Sequence, residues 1–178
     1  KAELHAQAQR RLELETDLRA ALAAQQFELH YQPKWCTKSQ RISGVEALLR
    51  WHHPRLGLVP PLSFIPLAEE TGLIDSIGQW VLEQACGQLA AWRDAGIVGL
   101  SMSINLSAHQ LRSAQLLPSV RALLERFALQ EDEIEFEITE SVAMTNPAQA
   151  IELLRALRAL GVRLAIDDFG TGYSSLAY

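Results

Sequence analysis

From Phe27 onward, short runs of β-forming residues alternate with longer stretches of helical periodicity, and few folds accept that order. The pattern predicts five strands: FELHYQPK (27–34), RISGVEALLRW (41–51), LSMSINLS (100–107), EIEFEITES (133–141) and VRLAIDDFG (162–170). Helices are expected at 61–71, 75–95, 115–128 and 147–160, with Pro147 as a start and Gly96 and Gly161 as stops. Alternation of this kind builds βα units around a parallel sheet, either doubly wound or closed into a barrel.

The strand ends choose between the two. No strand runs into GxGxxG or GxxxxGK[ST], whereas four strands end in acidic or amide residues, as barrel active sites require. The expected class is α/β, a TIM-like (β/α) barrel that is incomplete here, with about five of the eight strands of a full barrel. Residues 1–25 lack Gly and Pro and place Leu14, Leu18, Ala21 and Leu22 at helical spacing. They read as an N-terminal linker helix ahead of a domain at 26–178. The uncapped start leads us to expect chain upstream.

Composition narrows the function classes. The chain has 178 residues, 48% hydrophobic and 21% charged, which suffices for a core without disulfides or structural metal. A net charge of −5 argues against a polymeric nucleic acid or an anionic membrane surface as partner. Cys36 and Cys86 fit no ligand or disulfide spacing and point to a reducing compartment. No run of 18 apolar residues occurs, so direct membrane insertion is not expected. A cytoplasmic domain is, with any membrane anchor elsewhere in a longer parent.

Strand alternation predicts which side chains face the barrel axis. In EIEFEITES, Ile134, Phe136 and Ile138 should face the helices, leaving Glu135 and Glu137 on the lining. Ser101, Ser103 and Asn105 share one parity, as do Gly44, Glu46, Leu48 and Arg50. The last strand stays apolar until Asp167 and Asp168. Carboxylates converging in one mouth repel each other, so a cation is expected among them. Oxygen donors without Cys or clustered His select Mg²⁺ or Mn²⁺, and adjacent aspartates suit two ions, a common device for attack at phosphorus.

At these residues the sequence resembles the EAL domain family: YQPK (31–34), VEALLRW (45–51), SINLS (103–107), EITES (137–141) and DDFGTGYSSL (167–176) stand in family order and spacing. The resemblance implies a phosphodiesterase that hydrolyses cyclic di-GMP to linear pGpG with two Mg²⁺ or Mn²⁺ ions. It implies Glu46, Asn105, Glu137 and Asp167 as metal ligands, with Asp168 serving the second ion. Glu46, Asp167 and Asp168 are thereby the expected catalytic set. Gln32, Leu48 and Arg50 resemble substrate contacts, Arg50 toward a phosphate, and Glu140 resembles the anchor of the DFGTGYSSL loop. A homodimer and an upstream GGDEF or sensory domain in the same parent are further implications.

The resemblance also implies a lysine and a glutamate on later strands that activate water. A chain ending at Tyr178 would lack them and is expected to be inactive alone. The alternative function is a catalytically silent cyclic di-GMP receptor. Other features carry blander expectations: His52 and His53 in a turn rather than on a metal, Trp80 and Trp92 as packing residues, and Glu69 and Glu70 on a solvated helix end.

Overall fold

The computed structural model describes residues 2–139 and 147–167. In chain order the elements are α1 (Ala2–Ala21), β1 (Phe27–Cys36), β2 (Arg41–His53), β3 (Gly57–Val59), α2 (Pro61–Thr71), α3 (Leu73–Asp94), β4 (Ser101–Asn105), α4 (Ala108–Arg112), α5 (Leu116–Arg126), β5 (Ile134–Thr139), α6 (Pro147–Ala159) and β6 (Arg163–Asp167). The described strands form one sheet in the order β1-β2-β4-β5-β6, with β3 paired to β2 off that path. From β2 to β6 the successive pairs are parallel and separated by helices, as the alternation requires. Gly96 and Gly161 follow α3 and α6 at φ 86° and 89°, the left-handed stops expected of them.

The first strand corrects the expectation of a purely parallel sheet: β1 is antiparallel to β2. Residues 37–40 form a tight turn between them, far shorter than the dozen or so residues of a parallel crossover. A sixth strand also occurs. The three-residue β3 is too short to show periodicity and folds back on β2 through Trp51↔Val59 and His53↔Gly57. A short helix was likewise illegible from periodicity: α4 starts at a reciprocal cap in which Ser107 Oγ accepts the Gln110 N–H at 3.2 Å and Gln110 Oε1 accepts the Ser107 N–H at 3.1 Å.

One face of the sheet packs on helices. Val45, Met102, Ile104, Ile134, Phe136 and Ile138 are buried there against Leu82 and Leu89 of α3, Val120 and Leu123 of α5, and Leu157 of α6. Each such side chain contributes roughly 1.5–3 kcal/mol by leaving water. A second cluster joins Leu18 and Ala21 of α1 to Phe27, Trp51 and Phe64. The Trp51 indole is fully buried, and its N–H donates to Gln26 Oε1 at 3.0 Å. Trp80 and Trp92 pack as expected, against Phe27 and Tyr31 with ring centroids 6.1 and 4.9 Å apart. Cys36 and Cys86 are both free. Among the described residues no helix is long and apolar enough to cross a membrane.

The histidine pair splits at the end of β2. His53 is buried and its Nδ1 accepts the N–H groups of Arg55 and Leu56, both at 3.1 Å, which leaves Nε2 to donate to Asp17 Oδ2 at 2.9 Å. These bonds make His53 a clamp between α1 and the β2–β3 turn. His53 and then Arg55 hold the Asp17 carboxyl below its ordinary value. A depressed carboxylate stabilises the fold above its unfolded value and loses that contribution as pH falls through its folded one. Asp17→Asn should therefore lower stability at neutral pH and flatten the acid limb, measured as midpoint temperature against pH.

Close approach explains one glycine. A Cβ on Gly44 would lie 2.4 Å from Ser101 Oγ and 2.7 Å from the Ser101 carbonyl oxygen across the β2–β4 pair. Gly44→Ala should cost about 1–2 kcal/mol, read by chemical denaturation, because backbone and not a flexible tip must move.

Candidate active site

Strand register assembles the site on the sheet face opposite the helices. Gln32 lies across from Glu46, Glu46 beside Ser103, Ser103 beside Glu135, Asn105 beside Glu137, and Thr139 beside Asp167. Ile134, Phe136 and Ile138 are in the core, so the alternation carries Glu135 and Glu137 to the other face, as their parity requires. The carboxylates rise in steps along the parallel strands: Glu46 is level with Ser103 and Glu135, Glu137 lies two residues further beside Asn105, and Asp167 two beyond that beside Thr139.

The side chains form two linked groups. Asn105 Nδ2 donates to Glu46 Oε1 at 2.8 Å, joining β4 to β2. Beside it, the Lys34 ammonium donates to Ser103 Oγ at 2.6 Å, to Glu135 Oε1 at 3.2 Å and to Glu137 Oε1. Ser103 Oγ in turn donates to Glu135 Oε1 at 2.8 Å. Glu137 and Ser103 are buried. Arg163 Nε stands 3.5 Å from Glu135 Oε2 but lacks hydrogen-bond geometry, and it is a buried nitrogen without a hydrogen-bond partner.

Electrostatics follow from these contacts. Burial pushes the Glu135 carboxyl up, but the Ser103 hydroxyl, Lys34 and Arg163 together outweigh it and hold the group below the usual carboxylate range. Burial pulls Lys34 down, and hydrogen bonds to Glu137 and Glu135 more than reverse it, so the ammonium is held above its ordinary value. The cation expected among the carboxylates is thus supplied in part by the chain itself.

A cavity of about 350 Å³ adjoins this cluster. Leu48, Arg50, Asn105 and Glu137 line it, together with Thr139 and apolar residues of α2 and α3. Glu46 reaches it through its bond to Asn105. Gln32 and Asp167 are exposed and are not part of the lining. Asp168, Glu140 and the rest of the DFGTGYSSL motif lie outside the described residues.

Two features escaped the sequence reading. Lys34 ends the YQPK run and shares parity with Gln32, a signal that was available, but a lysine on an edge strand is usually solvated. Glu69 lines the cavity although a solvated position was expected, while its neighbour Glu70 is at the surface and pairs with Arg11.

Comparison with known proteins settles the family. The sequence model described as the EAL domain matches residues 15–178. The chain belongs to the EAL domain family. This EAL chain is 49% identical over 175 residues to MucR of Pseudomonas aeruginosa, a bifunctional diguanylate cyclase/cyclic di-GMP phosphodiesterase, covering 98% of the chain and 26% of that protein. It is 46% identical over 176 residues to NbdA of the same species, a cyclic di-GMP phosphodiesterase, covering 99% of the chain and 22% of that protein. The solved structure of PaMucR phosphodiesterase in complex with c-di-GMP matches with a TM-score of 0.87 at 49% identity, over 92% of this chain and 66% of that one. The EAL chain thus spans about a quarter of the length of these curated relatives, which are larger proteins. Solved EAL domains with this architecture support the incomplete TIM-like barrel read from the strand ends.

Proposed function

We propose that the full-length protein hydrolyses cyclic di-GMP to linear pGpG with Mg²⁺ or Mn²⁺, two ions per site. The observation that carries this reading is the set of oxygen donors that β2, β4 and β5 gather by the cavity: Asn105 and Glu137, in register and lining it, and Glu46, joined to Asn105 by a hydrogen bond. Hard oxygens without sulfur or clustered imidazole fit a small hard cation. The Glu46–Asn105 bond already holds two donors together, and the Lys34 ammonium offsets the charge of the neighbouring Glu135 and Glu137 carboxylates.

Glu46, Asn105, Glu137 and Asp167 would hold the first ion and Asp168 would serve the second. When bound, the ions supply Lewis acidity toward the phosphodiester and its attacking water. The chain's own residues bind and orient. Arg50 offers a guanidinium to a phosphate, Leu48 an apolar wall at the cavity, and Gln32 an amide across from Glu46. Glu140 would anchor the DFGTGYSSL loop.

Residues 1–25 are proposed to link this domain to an upstream GGDEF or sensory domain, with Leu18 and Ala21 seating the helix end on the core. A homodimer in the cytoplasm is the proposed working state. Incubating the full-length protein with cyclic di-GMP and either metal should yield pGpG. Tight nucleotide binding without pGpG would make it a receptor instead and overturn the proposal.

A further inference from the structure

Outside the carboxylate cluster, one group of metal-ligating side chains stands on the hairpin. Glu28 and His30 are two apart on β1 and therefore share a face. His52 joins them from β2. Glu28 Oε1 lies 2.7 Å from His30 Nε2, and Glu28 Oε2 lies 3.3 Å from His52 Nε2. One ligand atom from each of the three falls within 4.8 Å of the other two.

The backbone beneath them is fixed. Glu28 and His30 pair in register with Arg50 and Leu48, and the His52 N–H donates to Gln26 O at 2.8 Å just past the last register pair. Arg50, directly across from Glu28, turns its guanidinium onto the Leu49 carbonyl oxygen at 3.0 Å. The Glu28 carboxylate is left to the histidines, one oxygen to each. All three side chains are about half exposed, which keeps a path to solvent open.

We propose that Glu28, His30 and His52 bind a borderline transition-metal ion, Zn²⁺ above all, at a site separate from the oxygen-donor cluster. Two imidazoles and one carboxylate are a set that takes Zn²⁺ with a fourth position open, and nitrogen donors disfavour Mg²⁺. Ligand atoms around tetrahedral zinc lie about 3.4 Å apart, so side-chain rotation of about 1 Å closes the triad around an ion. His52 stands six residues beyond Glu46 on β2, roughly 20 Å at the usual strand rise, and His30 pairs with Leu48, two residues beyond Glu46, so the triad continues along the same hairpin without using any of the oxygen donors as ligands. The open position would hold water or another exchangeable ligand at the outer end of the β1–β2 hairpin.

The test is competition for Zn²⁺ between the full-length protein and a chromophoric chelator, with excess Mg²⁺ present to occupy the oxygen donors. The wild type should take up one tight equivalent. His30→Ala and His52→Ala should each weaken that equivalent by more than about tenfold, the least that even an outer-shell partner costs, while Glu137→Gln should leave it intact. Co²⁺ in place of Zn²⁺ should give a visible d–d band that both histidine variants lose. Circular dichroism checks that these exposed substitutions leave the fold unchanged. No tight uptake by the wild type, uptake indifferent to both histidines, or uptake lost in Glu137→Gln would each overturn the proposal, and the first would leave the triad as an ion pair alone.

Discussion

Replacing Glu46 by alanine should reduce cyclic di-GMP turnover by the full-length protein about 10³-fold or more, the scale on which a pre-placed electrostatic group acts at a reacting phosphate. Glu46 is the carboxylate through which β2 meets β4, since its Oε1 accepts the Asn105 amide at 2.8 Å. The informative partner variant is Glu46→Gln. It keeps an acceptor for Asn105 and removes only the charge, so a structural role would spare it and a metal-ligand role would not. Binding of the nucleotide should survive better than turnover, because Leu48 and Arg50 line the cavity independently of Glu46. The measurement is pGpG formed per unit time with Mg²⁺ or Mn²⁺, beside equilibrium binding of cyclic di-GMP. Full turnover in Glu46→Gln would remove Glu46 from the ligand set.

Much of this arrangement was legible because parity and register are both properties of strands. In EIEFEIT the apolar residues at 134, 136 and 138 assign Glu135 and Glu137 to the opposite face, and the structure places both there. The helix expected at 61–71 is present as Pro61–Thr71, and Gly96 and Gly161 end α3 and α6 as their positions required. What failed was relation between elements. Nothing in the residues of FELHYQPK tells an antiparallel edge strand from a parallel one; only the short turn at 37–40 does, because a parallel crossover needs about a dozen residues. Partners far apart in sequence were equally invisible. Lys34 meets Glu137 across 103 positions, and Glu69 reaches the cavity through the packing of α2 and not through any local pattern. Asp168 and Glu140 remain expectations of the family resemblance.

Lys34 supports the second large effect. Its ammonium is shared among Ser103, Glu135 and Glu137, and Glu137 retains only 9% of its side-chain exposure. Lys34→Met keeps most of the side chain's bulk and removes the charge, leaving two carboxylates facing each other with Arg163 as a poorly aligned neighbour. Losing one partner of a fully buried pair costs about 3–5 kcal/mol. Lys34 is 35% exposed, so solvent screening reduces the expected loss to about 2–3 kcal/mol at neutral pH without metal. The pH dependence fixes the interpretation. Glu135 is held below the usual carboxylate range, so its stabilising contribution is complete above that range and disappears as pH falls through the depressed value. Wild type should therefore lose its advantage over Lys34→Met on acidification, and the two denaturation midpoints should converge. Added Mg²⁺ or Mn²⁺ should also narrow the gap at neutral pH, since a cation bound only by the folded state stabilises it and replaces the missing ammonium. Equal stability of the two proteins at neutral pH would show that the carboxylates do not depend on Lys34. A gap that persists unchanged in acid would mean that the lysine acts through packing and not through its charge.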